Sequence, residues 1–350
     1  MSQLYPFLFT DNLHQVVWGS EQIGKWKGLQ QAPPHVGESW EVSAIETSPS
    51  VVANGPLQGT TLPELVAHYG QQLLGKKVSE RYGGKFPLLA KFIGAASDLS
   101  IQVHPDDALA LKRHNCFGKN EMWYIINALP GAKIYSGFKT AITPEAYKSR
   151  VADGTICDVL QAYEVHPGDI FYIPAGRVHA ICGGILLAEV QQSSDVTYRI
   201  FDYNRPGLDG LPRPLHTDLA LDALDFRVEE DYQTHYSIRP NRPTHVVCSP
   251  FFQLNLLDLK APVTRHLRKC DSFVIYMCTQ GDCRITPESS PDDAIVLSAG
   301  HSCLIPAQCA DLKVQPHTST ASTLVEAFID NYRSWSTTLI KNVASIIWSS

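Results

Sequence analysis

Charge is sparse in this chain, and its balance is acidic. Only 18% of the 350 residues are charged, and 35 Asp and Glu outnumber 29 Lys and Arg for a net charge of −6. A nucleic-acid-binding surface normally carries a basic surplus, so that class is set aside. An anionic small molecule is not, because a few cations in a pocket outweigh the global balance locally. No stretch approaches the ~20 consecutive apolar residues of a membrane span. No Cys-x-x-Cys pair occurs among the nine cysteines, an odd number scattered along the chain, which reads as thiols in a reducing cytoplasm. The apolar run from Leu4 to Phe9 has no preceding Lys or Arg and soon meets Asp11, which is not the pattern of a secretory signal. Helical periodicity is scarce as well.

What the chain has in quantity is short β-type segments separated by turn residues, the pattern of barrels and sandwiches. Strands are predicted over 87–93, 99–103, 122–126, 133–138, 170–173, 185–191 and 196–201, and after residue 240 over 251–259, 272–277, 281–287, 294–297 and 303–306. Thr61-Leu-Pro63-Glu64 is a capping box with proline in the first turn, and Leu62, Leu65, Val66, Tyr69 and Leu73 follow at helical spacing. Short helices are also predicted after Thr143-Pro144-Glu145 and between Pro105 and Arg113. A boundary falls in Ile238-Arg-Pro-Asn-Arg-Pro243, where two prolines follow a charged segment. It divides the chain into 1–238 and 239–330, with a tail, 331–350, left unassigned.

Gly168-Asp-Ile-Phe-Tyr-Ile-Pro174-Ala-Gly176-Arg-Val-His179 places a histidine at a fixed distance past a turn-forming Pro-x-Gly at the end of an apolar strand. That is a metal ligand's position. Gln102 and His104 lie two residues apart on one strand, so both face the same side. Glu121 opens an apolar strand, where a buried acid needs compensation. Two imidazoles, a carboxylate and an amide oxygen suit Zn²⁺, Fe²⁺ or Mn²⁺ rather than a soft metal. Ser100 alternates with Gln102 and His104 toward the same interior. Lys91 lies on the Leu89–Ile93 face of an apolar strand, Lys119 precedes Glu121 by two residues, and Arg199 carries a fixed fork suited to phosphate or sugar hydroxyls.

These strings resemble the two signature motifs of the cupin superfamily. The second motif fits at each specified position; the first has Gln102 in place of a histidine and a longer insertion before Glu121. The altered form, Leu99-Ser-Ile-Gln102-Val-His104-Pro-Asp-Asp107 followed by Lys119-Asn-Glu121-Met, resembles the type I mannose-6-phosphate isomerase family in its short bacterial form. Gly37-Glu-Ser-Trp40-Glu-Val-Ser43, Leu88-Leu-Ala-Lys91-Phe-Ile and Gln191-Gln-Ser-Ser-Asp195-Val-Thr-Tyr-Arg199-Ile-Phe-Asp support the likeness in family order.

The resemblance implies a mainly β fold of two cupin, or jelly-roll, barrels with a few short helices inserted in the N-terminal half, the second barrel lacking a metal site. It implies one divalent metal, expected to be Zn²⁺, on Gln102, His104, Glu121 and His179. Glu189 and Arg199 are implied as active-site residues, with Lys91, Ser100 and Lys119 on the substrate. The chain departs from longer members of the family at Gly118 and Ile181, where they carry a histidine and a tyrosine, so no histidine at 118 can be the base.

The expected activity is reversible isomerisation of D-mannose 6-phosphate and D-fructose 6-phosphate through a cis-enediolate. Lys119 and the metal would stabilise the developing charge, and Arg199 and Lys91 would hold the phosphate. Glu189, Asp195 and a hydroxide on the metal remain candidates for the base. The rivals are a cupin-type Fe(II) dioxygenase, disfavoured by a fourth protein ligand at Gln102, and a non-catalytic sugar-binding cupin, disfavoured by interior Lys and Arg beside metal donors. The sequence leaves monomer and homodimer open.

Overall fold

The computed structural model describes residues 4–318 and 320–330; the tail assigned to 331–350 lies outside the described residues. The fold is mainly β, with four sheets and short helices. Among the described residues no helix is long and apolar enough to cross a membrane.

Contacts group the described residues into two units, one within 13–39 and 91–234, the other within 4–12, 40–90 and 235–330. A single cut near 238 does not coincide with them. The N-terminal segments join the C-terminal unit because Phe7–Leu8 pairs with Ser302–Ile305 and because Asp271 accepts the backbone N–H groups of Lys76 and Lys77. Gly75 makes that approach possible: its φ is +89°, and a Cβ there would lie 2.1 Å from the Asp271 carbonyl oxygen.

In the first unit a five-stranded sheet runs in the order Tyr198–Phe201, Ile101–Val103, His179–Ile181, Lys133–Phe138, Leu160–Glu164. A six-stranded sheet, most of whose residues fall in the same unit, runs Leu13–Ser20, Val36–Val42, Leu88–Ala95, Ile185–Gln192, Glu121–Ala128, Ile170–Ile173. The strands Leu88–Ala95 and Ile185–Gln192 are buried along their whole length, so their charged members Lys91 and Glu189 are largely withdrawn from water. Trp123, Ile125, Phe171, Ile173, Ile181 and Leu187 share one apolar core.

The second unit holds a six-stranded sheet, Phe7–Leu8, Ser302–Ile305, Val274–Gln280, Ser322–Phe328, Gln253–Leu259, Pro243–Cys248, and a four-stranded sheet, Val263–His266, Asp311–Pro316, Asp282–Pro287, Ile295–Ser298. The capping box at Thr61 forms as the sequence predicts, but the helix stops at Tyr69. Gly70, at φ +44°, turns the chain, and Leu73 belongs to a separate turn of helix, Gln71–Leu74. The other two predicted helices are Asp107–His114, capped by Asp106, and Pro144–Ala152, capped by Thr143.

Candidate metal centre and active site

His104, Glu121 and His179 are brought together and fully enclosed, their ligand atoms all within 4.8 Å of one another. His179 reaches the cluster because Pro174-Ala-Gly176 reverses the chain after Ile170–Ile173; Gly176, at φ +89°, donates its N–H to the His104 carbonyl. The segment that delivers Glu121 is braced on both sides. The Gln192 side chain accepts from the Asn120 backbone and amide, the Asn120 Oδ1 accepts from the Ala175 N–H, and the Gly118 N–H donates to Asp107. Trp123 packs edge-on against the His179 ring at 5.4 Å.

The tautomers follow from the backbone. The Nδ1 of His104 lies 3.0 Å from the Val196 carbonyl and that of His179 lies 2.8 Å from the Arg177 carbonyl. A carbonyl only accepts, so both Nδ1 atoms carry the hydrogen and each neutral ring presents its Nε2 lone pair to the cluster. Burial, reinforced by the neighbouring Lys119 charge, pushes the His104 pKa down to about 3 and overrides Glu121. Burial likewise lowers His179.

Two lone pairs therefore face each other with the Nε2 atoms 3.1 Å apart, while Glu121 lies 3.2 Å from His179 Nε2 and 3.4 Å from His104 Nε2. Neither Glu121 oxygen accepts a well-formed hydrogen bond, although Lys119 Nζ is 2.8 Å away and also 3.0 Å from His104 Nε2. Burial opposes ionisation of Glu121, but Lys119 and the two imidazoles hold its carboxyl well below the ordinary range. Such a set of acceptors calls for a cation. Donors on a tetrahedral ion at about 2.0–2.1 Å stand roughly 3.3 Å apart, close to the Nε2–Nε2 separation and to the approach of one Glu121 oxygen to each imidazole, Oε1 to His179 and Oε2 to His104. The residues fit a divalent metal.

Register places the neighbouring candidates. Gln102 pairs with His179 on one side and with Arg199 on the other, and Ser136 pairs with His179, so Arg199, Gln102, His179 and Ser136 share one face across four strands. Ser100 is buried just before Ile101–Val103. Arg199 is half-buried; its Nη1 donates to the Pro214 carbonyl at 2.9 Å and its Nε has no hydrogen-bond partner. Lys91 Nζ lies 3.2 Å from Glu38 and 3.6 Å from Glu189. Burial works against its charge, yet these carboxylates raise its pKa. Trp123 Nε1 donates to Glu189, whose carboxyl is raised by burial and by the Glu121 charge. Asp195 stands apart, exposed in the loop before Tyr198–Phe201.

Sequence reasoning gave Glu38 no role, although Val36, Glu38 and Trp40 alternate on one strand face and Glu38 sits in a quoted string. Trp123 and the Asn120–Gln192 brace were also passed over, since neither an indole in an apolar strand nor an amide pair distant in sequence advertises a partner.

The comparisons with known proteins agree with this geometry. Residues 7–126 match the family described as phosphomannose isomerase type I, catalytic domain. A mannose-6-phosphate isomerase of Streptococcus mutans is 34% identical over 282 residues, covering 80% of this chain and 87% of that protein. The chain belongs to the type I mannose-6-phosphate isomerase family. A second member from Bacillus subtilis is 33% identical over 283 residues, 80% of this chain and 87% of its own. A crystal structure of the mannose 6-phosphate isomerase from Bacillus subtilis superposes with a TM-score of 0.80 at 30% identity, covering 93% of this chain and 99% of that one. The family relationship thus extends well beyond the strings around His104 and His179.

Proposed function

We propose that this chain catalyses the reversible isomerisation of D-mannose 6-phosphate and D-fructose 6-phosphate through a cis-enediolate. The observation that carries the reading is the enclosed convergence of two Nε2 lone pairs on Glu121, in a chain of this family. Three carboxylates, Glu38, Glu121 and Glu189, face two ammonium groups and two neutral imidazoles, so the cluster has no positive surplus of its own to stabilise an anion. A dication, for which we propose Zn²⁺, would be held by His104, Glu121 and His179 with the Gln102 amide oxygen as fourth donor, and when bound supplies Lewis-acid stabilisation of charge developing on the sugar oxygens.

The side chains then divide the work. Lys119 donates hydrogen bonds to the sugar oxygen that gains negative charge. Arg199, whose guanidinium carries an unsatisfied Nε and, among the described residues, no carboxylate partner within ion-pair distance, holds the phosphate or the sugar hydroxyls, and that remote binding positions the reacting carbons. Ser100 and Lys91 contact the substrate from the adjoining strands. Between the two acids, Glu189 is the better proton carrier: it is enclosed, oriented by Trp123, and raised in pKa toward the working range, whereas Asp195 is exposed.

For the fold we propose two cupin-type barrels, the five- and six-stranded sheets of the first unit forming one, the four- and six-stranded sheets of the second forming the other. All metal and catalytic residues fall between 91 and 199, within the proposed catalytic domain 1–238, and the cupin-like domain 239–330 carries none. A cytoplasmic location is proposed with it.

Incubation of metal-loaded protein with mannose 6-phosphate in D₂O tests the reading. Fructose 6-phosphate with solvent deuterium appearing at C1 is expected. Oxygen consumption with aerobic iron would transfer the site to a dioxygenase, and sugar-phosphate binding without turnover would make it a binding module.

A further inference from the structure

Arg199 is held by a segment that has little else to hold it. Residues 203–216 join the strand Tyr198–Phe201 to the helix Thr217–Ala223 without a strand or helix of their own. Tyr203 packs against the apolar core at the start of the segment, but Leu208, Leu211 and Leu215 are exposed, so burial of apolar surface does not fix the rest of it. It returns to the strand at two points: His216 exchanges hydrogen bonds with the Arg199 backbone, and the Pro214 carbonyl receives the Arg199 guanidinium.

Asp202 anchors this segment from within. It is buried, and its carboxylate accepts Nε and Nη2 of Arg213 at 2.7 and 2.6 Å, with Nη2 and Nε of Arg205 at 3.0 and 3.2 Å. The two arginines bracket the exposed tip, whose base is closed by Gly207 N–H on the Leu211 carbonyl. A bidentate guanidinium–carboxylate pair fixes orientation as well as distance. The same carboxylate pairs with two of three neighbouring guanidinium groups and offsets one of their three charges, so a positive surplus remains around Arg199 for an anionic ligand.

We propose that Asp202 is a positioning residue for the isomerisation: by clamping Arg205 and Arg213 it fixes the 203–216 segment, which holds the Arg199 guanidinium on the face it shares with Gln102 and His179. The inference rests on the reading above that Arg199 works on the substrate.

A double-mutant cycle on the zinc-loaded full chain tests it, with metal content and melting temperature recorded for each variant. Asp202→Asn keeps its zinc and its fold and loses about tenfold to a hundredfold in kcat/KM, the scale of a misplaced contact group. In the Arg199→Ala background the same change costs nothing further, because the residue through which it acts is gone. Wild-type kcat/KM in Asp202→Asn, or an equal loss in both backgrounds, overturns the positioning role. If Asp202→Asn does not fold, Arg213→Ala takes its place in the cycle, since it leaves Asp202 paired with Arg205; the same non-additive loss supports the proposal and an additive loss or none overturns it. Wild-type turnover by Arg199→Ala alone would instead remove the reading on which the proposal stands.

Discussion

Each unit encloses one glutamate completely, Glu121 in the first and Glu326 in the second, and the two carboxylates live in opposite surroundings. Glu326 is saturated with donors. Its Oε1 accepts from Asn255 at 2.7 Å and from Arg265 at 2.6 Å, and its Oε2 accepts from Arg265 Nε at 2.8 Å and from the Tyr276 hydroxyl at 2.7 Å. Glu121 meets two imidazole lone pairs and one lysine. A buried carboxylate surrounded by donors is a finished structural element; one surrounded by acceptors is a site for a cation. The difference between the two carboxylates lies in the chemistry of their surroundings.

The largest effect that would break this comparison is loss of a donor. His104→Ala or His179→Ala abolishes isomerase activity and lowers metal content, because an incomplete donor set leaves the ion hydrated and weakly held. Metal analysis with a turnover assay checks it, and near-normal turnover with stoichiometric metal in either variant sinks the assignment.

Glu326→Ala should cost stability and leave the metal alone. Removing one partner of a buried pair strands the Arg265 guanidinium, at about 3–5 kcal/mol. Denaturant unfolding reads the loss, and metal content stays at the wild-type level. A variant that unfolds normally but loses its metal would show that the second glutamate is not merely structural.

A smaller effect is expected at Gln102, whose neutral carbonyl contributes less than a carboxylate. Gln102→Ala retains partial activity that excess metal restores; no response to added metal would place Gln102 outside the coordination sphere. Least of all should change when His245, His266, His301 or His317 becomes alanine. Three are exposed and the fourth, His301, half-buried, and among the described residues none meets a second imidazole and a carboxylate. Metal stoichiometry is unchanged in each, and a folded variant that lost its metal would overturn the division between the units.

The contrast also explains what could be read in advance. The positions of His104, Glu121 and His179 were legible because strand alternation and the Pro-x-Gly turn act within a few residues. Lys91 and Glu189 stood out as charges in apolar strands. Their meeting with Glu38 was not legible, since it depends on which strands of the six-stranded sheet become neighbours, a matter of long-range pairing. The Glu326 network was hidden for the same reason: Glu326 is itself a charge in an apolar strand, but its partners Arg265, Tyr276 and Asn255 come from three other strands. The grouping of residues 4–12 and 40–90 with the C-terminal unit likewise rests on pairing across some 300 residues, such as Phe7 with Leu304. The break at Gly70 could have been foreseen, because glycine at a helix end favours a left-handed turn that stops the helix.

The central claim, that the lone pairs gathered at Glu121 take up one dication and that isomerisation depends on it, is tested most directly by titrating zinc into chelated wild-type protein while following both native mass and the conversion of mannose 6-phosphate. The account predicts one ion per chain, with activity absent at the start and rising in proportion to occupancy until one equivalent is bound. Full activity in the chelated, metal-free chain, or uptake of the same single ion by a His104→Ala/His179→Ala double variant, would contradict it.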